Sequence, residues 1–285
     1  MWLIGAVAVM MVLLAVGAVA VQIGSARQRR ALDDDIRRLR RAGISADAAA
    51  RSLDWQPGDL PAPVARYLRM ALPRPASIGE VRMTQSGTLR TDVASERWMP
   101  FEAEQIIVPP ATGFVWNARV HVAPLVHVRV RDALIQGLGS GQVSLMSAFT
   151  VSADAGTPEM NAGSLHRYLA EAVWYPTALL PRPALRWAAI DDTRALATLT
   201  AHGVTVSLEF RFAETGEVIG IYTPGRGGKF SDGYRQAGWE GHFRDYRERG
   251  GVVVPSEGDV GWYVEDELRV VWKGRVIAYD VRAGV

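Results

Sequence analysis

Phe114-Val115-Trp116-Asn117-Ala118-Arg119-Val120-His121-Val122 decides the fold. Phe114, Trp116, Ala118, Val120 and Val122 fall on one side of an extended chain, and Asn117, Arg119 and His121 on the other, the period of a half-buried strand. Val204–Phe212 repeats the pattern, with Val204, Val206, Leu208, Phe210 and Phe212 set against Thr205, Ser207, Glu209 and Arg211. Outward from these two runs, further strands are expected near 81–90, 97–108, 125–134, 142–152, 185–190, 194–200, 217–223, 239–248, 252–264 and 268–281. Gly- and Pro-marked turns separate them. Connections this short leave no room for crossover helices, so the pairing is expected to be antiparallel.

Two helices interrupt or precede the strands. Val64, Tyr67, Leu68, Ala71 and Leu72 form one stripe, opened by Pro61 or Pro63 and closed by Pro73 and Pro75. Leu165, Tyr168, Leu169, Ala172 and Val173 form another over 161–175, with Asn161 as the expected N-cap. A helix among so many strands is expected to pack on the apolar face of their sheet. The Gly-rich segment Thr223–Gly238 reads as a mobile loop. The fold class is therefore α+β, dominated by a large antiparallel β-sheet with covering helices.

The N-terminal end obeys different rules. Trp2–Val21 is twenty residues without a polar side chain, long enough to cross a bilayer's hydrocarbon core. A cleaved signal peptide ending at Ala18-Val19-Ala20 is the competing reading; the absence of Lys or Arg before the apolar run, and the run's length, oppose it. Residues 27–41 then carry seven Arg against three Asp, a net +4. Since the whole chain is +2, residues 42–285 sum to −2, with no footprint for nucleic acid. The partner expected instead is a lipid bilayer, met through Trp2–Val21, with Arg27–Arg41 at the headgroups. Residues 26–53 are expected to be a polar helical stalk, broken at Gly43 and restarted by Ser45 as N-cap of Ala46–Leu53; Asp54–Asp59 ends it. The domains so defined are an anchor (1–24), a basic juxtamembrane stalk and linker (25–59) and a β-rich domain (60–285).

Leu60-Pro61-Ala62-Pro63-Val64-Ala65-Arg66-Tyr67-Leu68, Phe101-Glu102-Ala103-Glu104-Gln105, the run Arg167–Pro181 and Trp239-Glu240-Gly241-His242-Phe243-Arg244-Asp245-Tyr246 resemble segments of a bacterial family of unknown function. The resemblance covers about residues 60–275. Its strand-rich pattern with inserted helices looks like the half-open barrel of periplasmic lipoprotein carriers, which implies a curved half-barrel here. A bacterial cytoplasmic membrane, crossed once, is the expected location. The arginine flank places residues 27–285 in the cytoplasm; the half-barrel likeness points to the outside, and both placements stand at this level.

No cysteine is present, which excludes disulfides, thiolate metal sites and cysteine nucleophiles. No G-x-S-x-G, H-E-x-x-H or strand-linked G-x-G-x-x-G occurs. Pro224-Gly225-Arg226-Gly227-Gly228-Lys229 lacks the phosphate-loop spacing and reads as a turn. Arg167, Glu171 and Trp174 share the polar face of the 161–175 helix, with Tyr175 beside them. They form either a ligand-orienting set or an i,i+4 ion pair on a solvated face. Trp239, Glu240, His242, Arg244, Asp245 and Tyr246 are the densest polar–aromatic cluster. It is a cross-strand salt-bridge network or, if a bulge brings His242 and Asp245 together, an acid–base site. His121 and His127, flanking Ala123-Pro124, share a strand face with Asn117, Arg119, Arg129 and Arg131; the arginines disfavour a metal and leave anion binding or a solvated face. Trp262 and Trp272 are expected in the core.

The candidate ligand-binding residues are Arg167, Glu171, Trp174, Tyr175, Trp239 and Arg244, with no catalytic residue, metal or cofactor assigned. The leading expectation is a membrane-anchored binding or carrier module for an apolar or lipid-like ligand. Its rivals are an enzyme using Glu171 or the Asp245/His242 region, and an envelope scaffold acting by protein contacts.

Overall fold

The computed structural model describes residues 2–47, 60–230 and 233–284. Thirteen strands form one antiparallel sheet: β1 (Ile78–Leu89), β2 (Met99–Val108), β3 (Gly113–Ala123), β4 (Val126–Ile135), β5 (Leu138–Leu145), β6 (Phe149–Ala155), β7 (Leu185–Ala189), β8 (Arg194–Ala201), β9 (Val204–Phe212), β10 (Val218–Phe230), β11 (Gly233–Arg249), β12 (Val252–Val264) and β13 (Glu267–Ala283). Their spatial order is β6-β5-β4-β3-β2-β1-β13-β12-β11-β10-β9-β8-β7. Each half is a meander, and the halves join where β1 pairs with β13. The sheet curls enough to bring its ends into reach: a Cβ on Gly137, in the β4–β5 turn, would lie 2.4 Å from His202 in the β8–β9 turn.

Among the described residues three α-helices accompany it, α1 (Trp2–Asp47), α2 (Ala62–Ala71) and α3 (Pro158–Glu171). On the inner face, α2 buries Val64, Tyr67, Leu68 and Ala71, and α3 buries Leu165, Tyr168 and Leu169. The main core forms there with Phe101, Phe114, Trp116, Ala118, Leu208 and Phe210. Helix α3 touches β4 and β5 on one side and β9 and β10 on the other, so it lies across the hollow of the curl.

Several expectations are corrected. The 142–152 strand is two, β5 and β6, because Met146 and Ser147 adopt positive φ of 53° and 56° and turn the chain back. The described residues of Thr223–Gly238 are strand, not loop: Arg226–Phe230 of β10 pair with Gly233–Ala237 of β11, so the Pro224–Lys229 turn is also strand. Helix α3 starts earlier than expected: Thr157 Oγ1 caps Met160 N at 3.2 Å, with Pro158 in the first turn. Asn161 instead lies within the helix and accepts from Gly139 N at 2.8 Å, pinning α3 to β5.

The largest correction concerns the polar stalk. Helix α1 does not break at Gly43 but runs unbroken to Asp47, and Ser45 Oγ donates back to Arg41 O. Most of the expected Ala46–Leu53 helix, and the Asp54–Asp59 break, lie outside the described residues. Gly43 is a contact point: a Cβ there would lie 2.4 Å from Val108. Gly24 is another, with Ala148 O at 2.7 Å from the same construction. Between them Leu39 is fully buried against Ile106, Val108, Ala111, Val115 and Ala133, with Leu32 and Ile36 packed beside it. Arg40 clamps Glu80 of β1 with two bonds of 2.6 and 2.8 Å. The basic segment is therefore the cover of the sheet's outer face. One N-terminal helix is long and apolar enough to cross a membrane, by length and composition; Met10, Met11, Val12, Val16 and Val19 are exposed.

Candidate functional site

Inward-facing residues of the sheet and the polar side of α3 enclose a hollow of about 410 Å³, within the roughly 300–1,000 Å³ of small-molecule pockets. Most of its wall is apolar. Five of the nine tryptophans of the chain, Trp116, Trp174, Trp239, Trp262 and Trp272, line it, with Leu89, Val130, Val143, Ile221, Phe243, Val260 and Val271. Their placement follows from strand alternation. Trp239 and Trp262 oppose each other across β11 and β12, and Trp116 pairs with Asp132 across β3 and β4.

One wall is charged. Arg167 Nε donates to Glu171 Oε1 at 2.7 Å, and its terminal nitrogen donates to Asp132 Oδ2 at 2.9 Å. Gln105 Nε2 donates to Glu171 Oε2 at 2.6 Å, Gln85 Nε2 to Gln105 Oε1 at 3.0 Å, and Trp116 Nε1 to Gln85 Oε1 at 2.9 Å. A single relay thus runs from Trp116 to Asp132, with Gln85 and Gln105 almost wholly buried. The Arg167 guanidinium lies 5.0 Å from both the Phe114 and Trp116 rings. Arg226 lies 4.3 Å over Trp239 and 5.0 Å over Trp262, and donates to Gly163 O on α3.

Burial works against the Arg167 charge, but Glu171 and Asp132 together reverse this and raise its pKa. Burial, and next the Arg167 charge, lower the pKa of Arg226. Asp132 shows 36% of its side chain to the hollow yet lies deep in it, and burial raises its pKa against the pull of Arg167 and Arg226. The lining carries Arg90, Arg167 and Arg226 against Asp132, Glu171 and Asp259, a balance of charge. The wall can orient a polar end while the tryptophans hold an apolar body. Both Glu171 oxygens are engaged, Oε1 by Arg167 and Oε2 by Gln105.

Of the residues singled out from sequence, Arg167, Glu171, Trp174 and Trp239 line the hollow. Tyr175 does not: it is fully buried and donates to Tyr168 O at 2.6 Å. Arg244 is exposed and pairs with Glu257 at 3.1 Å and Asp259 at 2.6 Å. The Asp245/His242 acid–base pairing does not form. Asp245 has a positive φ of 57° but pairs with Arg247, while His242 meets Asp259 at 2.9 Å and Glu240 at 3.1 Å, a cross-strand network. Tyr246, next to this positive-φ residue, packs against the core instead of sharing the outer face with His242 and Arg244, and donates to Val218 O at 2.8 Å. Trp262 and Trp272, expected as core, are half-buried walls of the hollow.

Asp132, Gln85, Gln105 and Arg226 were not anticipated. The first three carried a signal, since each is a polar residue on the inward phase of a strand. Gln105 follows Phe101 and Ala103, Gln85 follows Val81 and Met83, and Asp132 follows Val128 and Val130. Arg226 carries none, because the Gly-rich run around it has no alternation to mark the paired strands that deliver it.

Among curated proteins none matches this sequence. Solved structures with a similar outline include a LolA superfamily protein, NE2245, from Nitrosomonas europaea (9% identity, 78% of this chain and 93% of that one, TM-score 0.39). Two others are a DUF1329 family protein from Desulfovibrio piger (8%, 79% and 95%, 0.35) and a β-barrel-like DUF1849 protein from Brucella abortus (10%, 73% and 100%, 0.24). Residues 58–280 match the model of a family of unknown function, DUF6920, and the chain belongs to that family.

Proposed function

We propose that the protein is a membrane-anchored binding module whose hollow takes an elongated apolar, lipid-like molecule with one polar end. Residues 1–24 serve as the anchor. The observation that carries this reading is the hollow itself, walled by five tryptophans and closed on one side by the Trp116–Asp132 relay. Preformed apolar space beside a fixed, charge-balanced polar wall is what amphipathic ligand recognition requires. Arg167, Glu171 and Arg226 would meet the polar end, and Trp174 and Trp239 the apolar body.

The test uses a dansyl-labelled long-chain fatty acid and the full chain in a neutral detergent. Tryptophans that line the site should transfer excitation energy to a bound dansyl group. Val130→Trp, which fills the hollow, should abolish the transfer, and mass spectrometry of the purified chain should detect a co-purifying lipid lost in the same variant. Equal dansyl signals from wild type and Val130→Trp would sink the reading.

A further inference from the structure

A second cleft, of about 440 Å³, lies on the outer face of the sheet, between α1 and strands β3–β5. Its helix side is Val21, Ser25, Gln28, Arg29 and Leu32; its strand side brings Arg119, His127, Arg129 and Arg131, with Ser144 and Ser147. These strand residues cluster because the β3–β4 hairpin sets Arg119 opposite Arg129 and His121 opposite His127, all facing outward. Arg131 reaches Asp35 at 3.5 Å. Among the described residues no carboxylate lies within salt-bridge reach of Arg29, Arg119 or Arg129. Arg129 is held by neutral groups, Ser147 Oγ at 3.0 Å and Asn117 Oδ1 at 3.2 Å, and Arg119 by the His127 ring at 3.3 Å.

So many cations in one cleft repel one another. Burial, then Arg119 and Arg29, lower the pKa of Arg129, with only Glu104 acting the other way. Burial, then Arg119, Arg129 and His121, lower that of His127. An anion between them relieves this repulsion and is met by planar, multi-donor guanidinium groups suited to phosphate oxygens. The cleft begins at Val21, the last residue of the uninterrupted apolar run of α1, with Gln22 and the exposed Ile23 following it. A headgroup phosphate sits at that level when such a helix crosses a bilayer.

We propose that this cleft binds the phosphate of an anionic phospholipid, with the acyl chains lying along the Met10–Val21 part of α1. The site is separate from the hollow and rests on α1 being a membrane anchor. Occupied, it would tie the lipid to both the helix and the sheet and lock the two together.

The test compares a short-chain phosphatidylglycerol, the matching phosphatidylcholine and inorganic phosphate, each titrated against the full chain in neutral detergent by native mass spectrometry. Phosphatidylglycerol should bind at least tenfold more tightly than phosphatidylcholine or free phosphate. Arg119→Gln with Arg129→Gln should weaken it by about thirty-fold, from roughly 1 kcal/mol for each cation near a phosphate layer. Arg119→Lys with Arg129→Lys should keep most of the preference, and Arg247→Gln, on β11, all of it. If the double Gln variant misfolds on thermal melting, Arg29→Gln, on an exposed helix position, should still cost about fivefold. Equal binding of the two lipids, or unchanged binding in the Gln variants, overturns the proposal; inorganic phosphate binding as tightly as phosphatidylglycerol overturns the lipid assignment. Dansyl fatty-acid transfer in the same variants should be unaltered, which separates this outcome from failure of the hollow as a ligand site.

Discussion

Arg167→Met is the sharpest probe of the charged wall. Methionine keeps much of the apolar stem beside Phe114 and Trp116 but leaves Glu171 and Asp132 without the guanidinium that bonds them at 2.7 and 2.9 Å. Breaking a buried ion pair by deleting one partner costs about 3–5 kcal/mol. The hollow's water-facing side, to which Asp132 shows 36% of its side chain, argues for the lower end, about 3 kcal/mol. For a chain of this size that is a fall in Tm of roughly 6–12 °C. Glu171→Gln added to Arg167→Met removes one stranded charge and can still accept from Gln105, so the double variant should regain more than half of the loss. The pH dependence has a definite sign. The folded pKa of Asp132 is already raised by burial, and removing Arg167 removes the main influence lowering it. A carboxyl with a raised folded pKa penalises folding above that pKa and is relieved as pH falls through it. The deficit of Arg167→Met relative to wild type should therefore be smaller at pH 5 than at pH 7. Thermal and urea unfolding at both pH values measure it. A deficit under about 1 kcal/mol at pH 7, or one that grows on acidification, would show that the wall is hydrated and that burial does not govern it.

Leu39→Ala should undock α1 from the outer face, since Leu-to-Ala changes at fully buried sites lose about 2–5 kcal/mol. Hydrogen exchange should rise at Val108–Val115 while β11 and β12 stay protected, and unchanged exchange at the docking patch would refute the assignment. His242 and His127 should titrate in opposite directions by NMR. The Asp259 hydrogen bond holds His242 above its usual value, outweighing burial, whereas burial and neighbouring arginines hold His127 below. The His242 contribution to stability is thus full below about pH 6.5 and lost as pH rises through its folded pKa; Asp259→Asn should return His242 toward the ordinary range. For topology, the arginine flank predicts that protease added to spheroplasts spares the β-rich domain and that lysis exposes it. Digestion without lysis would favour the opposite side.

Strand positions were legible wherever one face met the core and the other was more open, as in Trp116–Val122 and Val204–Phe212. The same rule hid the outer layer. Gln105-Ile106-Ile107-Val108 is buried at every position, because α1 covers the second face there, and alternation stops reporting a face when both are covered. The complementary signal sat in α1, where Leu32, Ile36 and Leu39 recur at helical spacing inside an otherwise charged segment. The α3 half of the hollow was readable because Arg167 and Glu171 stand four apart opposite an apolar stripe. The strand half was less so, since a polar residue on an inward phase has no meaning until its neighbours across the sheet are known. Gln85 and Gln105 acquire a role only through the register that sets them beside each other.

That register also ties the two clefts together. Along β4, Val130, Asp132 and Leu134 face inward and Arg129 and Arg131 outward, so the strand that supplies a carboxylate to the hollow supplies guanidinium groups to the outer cleft. A slip of one residue would place Arg131 in the hollow and Asp132 among the outer arginines, inverting both sites at once. Strand β3 is bound by the same condition through Trp116 and Arg119. Each face therefore defends the register that the other needs. Because α1 runs without a break from its apolar stretch to Leu39, about 27 Å from Val21 at 1.5 Å per residue, the sheet it covers is joined to that stretch by one continuous helix. With that stretch as the proposed anchor, a hollow mounted in this way would stay at a fixed height on the membrane. The module proposed above would meet its apolar ligand at that height rather than carry it through water.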